Sequence, residues 1–190
     1  MQGDLGRSYV QRSQVSELIA ARLPATFLLM LGAIFFELLI GLPIGAIAAF
    51  RRNTPADQTV MLGALFFVST PQFLVAYVLL YIFGFNLQWF PTTPGVSFAT
   101  LILPSIALGL IGAGWYARMM RSSIIEVLRQ DYIRTARAKG LRRVRIVLLH
   151  VVPNGLLPII AMVGLDIGYF MSGIVVVESV FGWPGIGQLA

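Results

Sequence analysis

Between Pro24 and Phe50 the chain carries a single charged residue, Glu37, and the stretch from Gln58 to Gly84 carries none. Ala99–Ala117 is likewise uncharged, and Gly155–Val177 is interrupted only by Asp166. A helix needs roughly 20 apolar residues to cross a hydrocarbon core of about 30 Å, and these four runs are long enough. None alternates apolar and polar residues as a barrel strand does. In hydrocarbon every backbone N–H and C=O must be satisfied internally, which leaves the helix. The expected fold is all-α: a polytopic transmembrane helical bundle over residues 1–190, with spans at about 24–50, 58–84, 99–117 and 155–177 and a polar loop at 118–153. Charged residues make up only 12% of the chain, too little to cover a soluble surface. The N-terminal stretch before Pro24 has no apolar core of its own and does not read as a signal peptide.

The basic residues then orient the spans. Eleven of the fourteen Lys and Arg residues fall in two connections: Arg51 and Arg52 in the first, and nine from Arg118 to Arg145 in the third. The second connection, 85–98, has none. Basic loops stay on the cytoplasmic side, so the first and third connections are expected inside and both ends of this stretch outside. Arg7, Arg12 and Arg22 run mildly against that rule. The same bias accounts for the net charge of +6 without any nucleic acid partner.

Single residues admit both functional and plain readings. Glu37 and Asp166 fall at the centres of their spans, where a carboxylate costs about 2.5–3.5 kcal/mol and must face protein or water. They are candidates for lining a hydrated path, together with Pro71 and Gln72 in the S-T-P-Q break of the second span. The plainer reading is a carboxyl satisfied by a neighbouring helix, and nothing in the sequence brings the two acids together. Pro43, Pro104, Pro153 and Pro158 and the glycines around them read as kinks and close packing. His150, the one histidine, makes neither a metal site nor a triad alone. No metal site and no cofactor are expected. Met119 and Met120 read as packing residues, Trp89 and Trp183 as interfacial aromatics.

The polar loop contains the most specific pattern. Ile124, Leu128, Tyr132 and Ala136 recur every four residues and predict one helix over 122–139 with an apolar stripe. Gly140 is placed to stop it, and a second helical run, 142–152, leads to Pro153. R-T-A-R-A-K-G, then nine residues, then H-V-V-P resembles the cytoplasmic EAA loop of ABC importer permeases. That motif is E-A-A, three residues, Gly, nine residues and I-x-L-P. Gly140, Pro153 and Ala136 match it, whereas Arg134, Thr135, His150 and Val152 stand in for its Glu, first Ala, Ile and Leu. D-Y-I-R before the motif, G-D-L-G-R-S-Y, R-L-P-A-T and the closing E-S-V-F-G-W-P-G-I-G-Q-L resemble the dipeptide/oligopeptide/nickel branch of that family.

The resemblance implies a permease subunit of an ATP-driven importer in a bacterial-type inner membrane, carrying peptides or similar small solutes. It implies a second permease subunit, two ATPase subunits and an extracytoplasmic substrate-binding protein as partners. It assigns Asp131, Tyr132, Arg134, Thr135, Ala136, Arg137, Lys139, Gly140, Leu141, His150 and Pro153 to the element that meets the ATPase. It places the segment around Glu178–Leu189 at the outer mouth. It also implies a further span before Gln2 and another after Ala190, since such permeases usually have six. The subunit is not itself an enzyme: a phosphate-binding loop needs G-x-x-x-x-G-K-[ST], and the only lysine, Lys139, is followed by Gly140. An intramembrane enzyme built on Glu37, Asp166 and His150 would need groups about half a bilayer apart to meet. A scaffold that binds a cytoplasmic protein through the basic loop is the other alternative.

Overall fold

The computed structural model describes residues 6–8, 12–171 and 174–189. Its elements are helical: α1 (Val15–Phe50), α2 (Pro55–Ser69), α3 (Gln72–Leu79) continuing as a π-helix through Asn86, α4 (Phe98–Val127), α5 (Asp131–Ala138), α6 (Arg143–Ile146), α7 (Val152–Gly155), α8 (Leu157–Met171) and α9 (Val175–Phe181). A π turn over Val147–Val151 joins α6 to α7, and a 3₁₀ turn covers Ile186–Leu189. The one β feature among the described residues is an isolated bridge between Arg7 and Gln14.

Among the described residues three stretches are long and apolar enough to cross a membrane: Val15–Phe50, Phe98–Val127 and Arg143–Phe170. The expected second span is instead two helices, α2 and the α3 π-extended helix, bent by 101° at Thr70–Pro71. The cause is local. A residue before proline is pushed out of the helical region, and Thr70 is extended with ψ 131°. The expected third span also lengthens, to Val127. The expected helix from Arg142 joins the fourth span through α6, the π turn, α7 and α8. Pro153 has no N–H and its ring crowds the carbonyl of Leu149, and the helix widens into the π turn immediately before it.

The chain divides into two compact units. One comprises the described residues up to Ala33, Gln72–Ala107 and those from Tyr169 on; the other comprises Ile34–Pro71 and Leu108–Gly168. α1 and α4 each belong to both units, dividing after Ala33 and Ala107.

In the second unit α4 is flanked on two sides. A Cβ built on Gly41 would lie 2.8 Å from the Ala113 carbonyl oxygen, and one on Gly45 would lie 2.4 Å from that of Ala117. Gly41/Gly45 and Ala113/Ala117 are both four-residue pairs, so small residues on both helices let the backbones touch. Gly114 makes the same approach to the Ala64 carbonyl of α2, at 2.6 Å. At the start of α2, Thr54 caps the Asp57 N–H, with Pro55 in the first turn. The Asp57 carboxylate also accepts from the Asn53 N–H at 2.9 Å and holds Arg121 of α4 by two bonds of 2.6 and 2.7 Å. Two parallel bonds to a buried carboxylate make this a geometric lock between α2 and α4. Leu62, Phe66, Ile160 and Leu165 are exposed, as membrane helices that present apolar side chains to lipid require.

Candidate functional site

The basic loop is a folded element. α4 ends in a tight turn, where the Arg129 and Gln130 N–H groups reach back three residues to Glu126 and Val127. Gln130 is extended with ψ 147°, and α5 starts at Asp131. The expected single helix over 122–139 is therefore two. The intervening turn shifts the register, so the buried residues of α5 are Ile133 and Ala136, while Tyr132 is 44% exposed. Ile133 and Ala136 pack in one core with Met120, Ile124 and Val127 of α4, Ala49 of α1 and Ile146, Val151 and Ile159 of the following helices.

The end of α5 explains Gly140. The Leu141 N–H reaches the Ala136 carbonyl at 3.3 Å and the Gly140 N–H reaches that of Arg137 at 3.0 Å. These are the two bonds of a Schellman stop, and they require the left-handed φ of +75° found at Gly140. Leu141 then packs against the core that holds Ala136. On the outer side Asp131, Arg134, Thr135, Arg137 and Lys139 are exposed. Arg134 pairs with Asp131 at 3.6 Å, a solvated contact of little energetic weight. His150 is half-buried, and its carbonyl accepts from the Asn154 side chain at 2.7 Å.

The mid-span acids both lie in the second unit. The Tyr116 hydroxyl donates to Asp166 Oδ2, and Asp166 is close enough to act on Glu37 electrostatically. Glu37 is 3% exposed, lies against Gly112, and its Oε2 has no hydrogen-bond partner. A Cβ on residue 112 would fall 1.8 Å from Glu37 Oε1, so the glycine makes the space the carboxyl occupies. Sequence reasoning missed Tyr116; its place on α4, within the small-residue stripe, was the available signal. Pro71 is exposed at the break before α3, and Gln72 is half-buried in the first turn after it. Among the described residues no three His, Cys, Asp or Glu side chains are grouped to hold a metal ion.

The first unit contains a second polar centre that sequence reasoning missed. Glu178 of α9 is fully buried. Its Oε1 accepts from Thr26 Oγ1 of α1 and its Oε2 from the Gly187 N–H, both at 2.7 Å. Thr26 Oγ1 in turn accepts from the Ile186 N–H at 2.8 Å. Trp183 was expected as an interfacial aromatic; it is instead 1% exposed, and its Nε1 donates to the Ala25 carbonyl at 2.9 Å. A buried indole needs an acceptor, and a carbonyl in the interior of α1 supplies one. Trp89 is exposed and leans on Phe83 at 5.5 Å.

A helical membrane bundle, with a basic helix–Gly–helix loop fused to its core and a paired acid inside it, defines a polytopic membrane component. The chain belongs to the family described as binding-protein-dependent transport system inner membrane component, whose model matches residues 41–190. It is 42% identical over 189 residues to the glutathione transport system permease protein GsiC of Salmonella choleraesuis and 41% identical to that of Pectobacterium atrosepticum. Both matches cover 100% of this chain and 62% of the relative, so the chain spans about three-fifths of the length of these curated relatives. Among solved structures, the inward-facing MetNI methionine ABC transporter matches with a TM-score of 0.73 at 20% identity, over 96% of this chain and 81% of that one. An amino acid ABC transporter solved with histidines matches with a TM-score of 0.68 at 18% identity, over 97% and 81%. These two likenesses concern the fold.

Proposed function

We propose that this chain forms the membrane-spanning part of a permease subunit in an ATP-driven importer of peptides or similar small solutes, such as glutathione. The observation that carries the reading is α5. Its inner face, Ile133 and Ala136, is packed into the core beneath α4 and the fourth span, while its outer face is exposed and charged. A helix held this way moves with the spans as a rigid body. A cytoplasmic ATPase that grips Arg134, Thr135 and Lys139 would transmit its own closure to them, with charge complementarity setting the register. Gly140 and Leu141 fix the exit angle, and Pro153 follows the π turn inside the span that comes next. Asp131, Tyr132, Arg137 and His150 complete the element. The ATP chemistry belongs to two ATPase subunits, and this subunit is not an enzyme. A second permease completes the path, and an extracytoplasmic binding protein delivers the solute.

The topology that supports this function counts α2 and α3 as one broken span. The loops at 51–54 and 128–142 are then cytoplasmic, and 87–97 is outside. In the path, Asp166 is the more accessible acid, held by Tyr116, while Glu37 is buried. Pro71 and Gln72 line the break in the second span. Broken helices are tolerated at membrane depth where protein or water satisfies the freed groups. Which solute passes is set largely by the binding protein.

The test is a cysteine at Arg134 in the full-length protein, cross-linked in membranes. The expected product joins it to an ATP-hydrolysing subunit. Cross-links solely to proteins without ATPase activity would replace the importer reading by that of a scaffold.

A further inference from the structure

A groove of about 490 Å³ opens beside the coupling element in the second unit. Phe50, Leu128, Leu141 and Val147 supply apolar walls, and Arg137 and Arg143 supply charge. Neither arginine takes part in an ion pair; those among the described residues are Arg121 with Asp57 and Arg134 with Asp131. Arg137 lies one helical turn beyond the buried Ile133, and its exposed side chain borders the groove.

We propose that this groove binds the phosphate and glycerol of an anionic phospholipid of the cytoplasmic leaflet. Its place in the fold selects the ligand. Phe50 is the last residue of α1 and Val147 lies in the stretch Arg143–Phe170, so the groove stands where two spans leave the bilayer. Val144 and Leu148, next to it on that same stretch, are exposed apolar residues suited to the acyl region. Two unpaired guanidinium groups over an apolar floor match a phosphodiester attached to hydrocarbon. Inorganic phosphate would satisfy the arginines and leave Phe50, Leu128 and Leu141 uncovered. The volume falls within the range of roughly 300–1,000 Å³ common to small-ligand sites. The inference rests on the cytoplasmic placement of the loop and not on its docking to an ATPase.

The experiment uses the full-length protein, without ATP, in nanodiscs of phosphatidylcholine with equal amounts of phosphatidylethanolamine and phosphatidylglycerol. Retained lipid is read by native mass spectrometry. Wild type is expected to retain phosphatidylglycerol in preference to phosphatidylethanolamine, which requires no variant. R137Q/R143Q is expected to lower that retention by about tenfold or more, the weight of one good charge-assisted contact. R142Q/R145Q removes the same charge from the same segment outside the groove and is expected to leave retention unchanged. Equal losses in the two double variants, equal retention of both lipids by wild type, or displacement of the lipid by inorganic phosphate alone would overturn the proposal. Because the readout needs no ATP turnover, failure of the coupling reading would leave this result intact.

Discussion

Gly140 is a residue whose role is conformational and not steric. A Cβ there meets nothing within 4 Å, yet its φ is +75°. Gly140→Val therefore costs about 1–3 kcal/mol of backbone strain. The Schellman stop is lost, and α5 with it. The expected outcome is reduced co-purification of the ATPase and loss of substrate-stimulated hydrolysis, with membrane insertion intact. Gly140→Asn, which tolerates the left-handed region, should stay close to wild type. Equal behaviour of both variants would show that the turn conformation is not what matters. Asp166 poses a different question, because Tyr116 already donates to it and Glu37 lies close by. Asp166→Asn keeps shape and removes charge. If the acid draws cationic groups into the path, uptake per folded complex should fall several-fold more for a peptide with a free ammonium group than for its N-acetylated form, each tenfold corresponding to about 1.4 kcal/mol. An equal fall for both peptides would assign Asp166 to packing alone.

Among the elements, α9 and the 3₁₀ turn after it depend on one carboxylate. Glu178 receives Thr26 and the Gly187 N–H, and Thr26 receives Ile186, so three donors from two segments close on one side chain, two directly and one through Thr26. Glu178→Ala leaves buried donors without acceptors, at about 1–3 kcal/mol each. Glu178→Gln keeps one carbonyl oxygen but presents an amide donor to a second donor, and should recover only part of the loss. Limited proteolysis between Gly182 and Leu189 measures this directly: faster cleavage is expected for the Ala variant, with Gln intermediate. Cleavage unchanged in both would mean that the Trp183 bond to Ala25 holds the segment unaided. α5 contrasts with this polar latch, because apolar residues hold it and its charges face outward.

For the molecule as a whole, the testable property is the order of its sides. Gln88 lies in the connection after α3, and Arg137 lies in α5; both are exposed. Single cysteines at these positions should react with an impermeant thiol reagent from opposite faces of the membrane, with 137 cytoplasmic. Labelling of both from one face would mean that the bent pair of α2 and α3 re-enters on its own side, and the coupling reading would fall with it. The bend itself was foreshadowed by Pro71 in the sequence, but its 101° angle was not.

Sequence alone determined that the chain is helical and membrane-spanning, because long uncharged runs leave the backbone no other way to satisfy its polar groups. It also located the Gly140 stop, since glycine acts there through local backbone chemistry that no neighbour needs to supply. The tertiary structure decided what depends on partners distant in the chain. Tyr132 faces outward because a three-residue turn, unmarked by glycine or proline, shifts α5 relative to α4. Trp183 is buried because the Ala25 carbonyl is there to receive it. The Tyr116–Asp166 bond, the Glu178 latch and the Asp57–Arg121 lock join residues separated by scores of positions. Periodicity and composition report which face of an element is apolar; only packing determines which polar group finds which partner inside it.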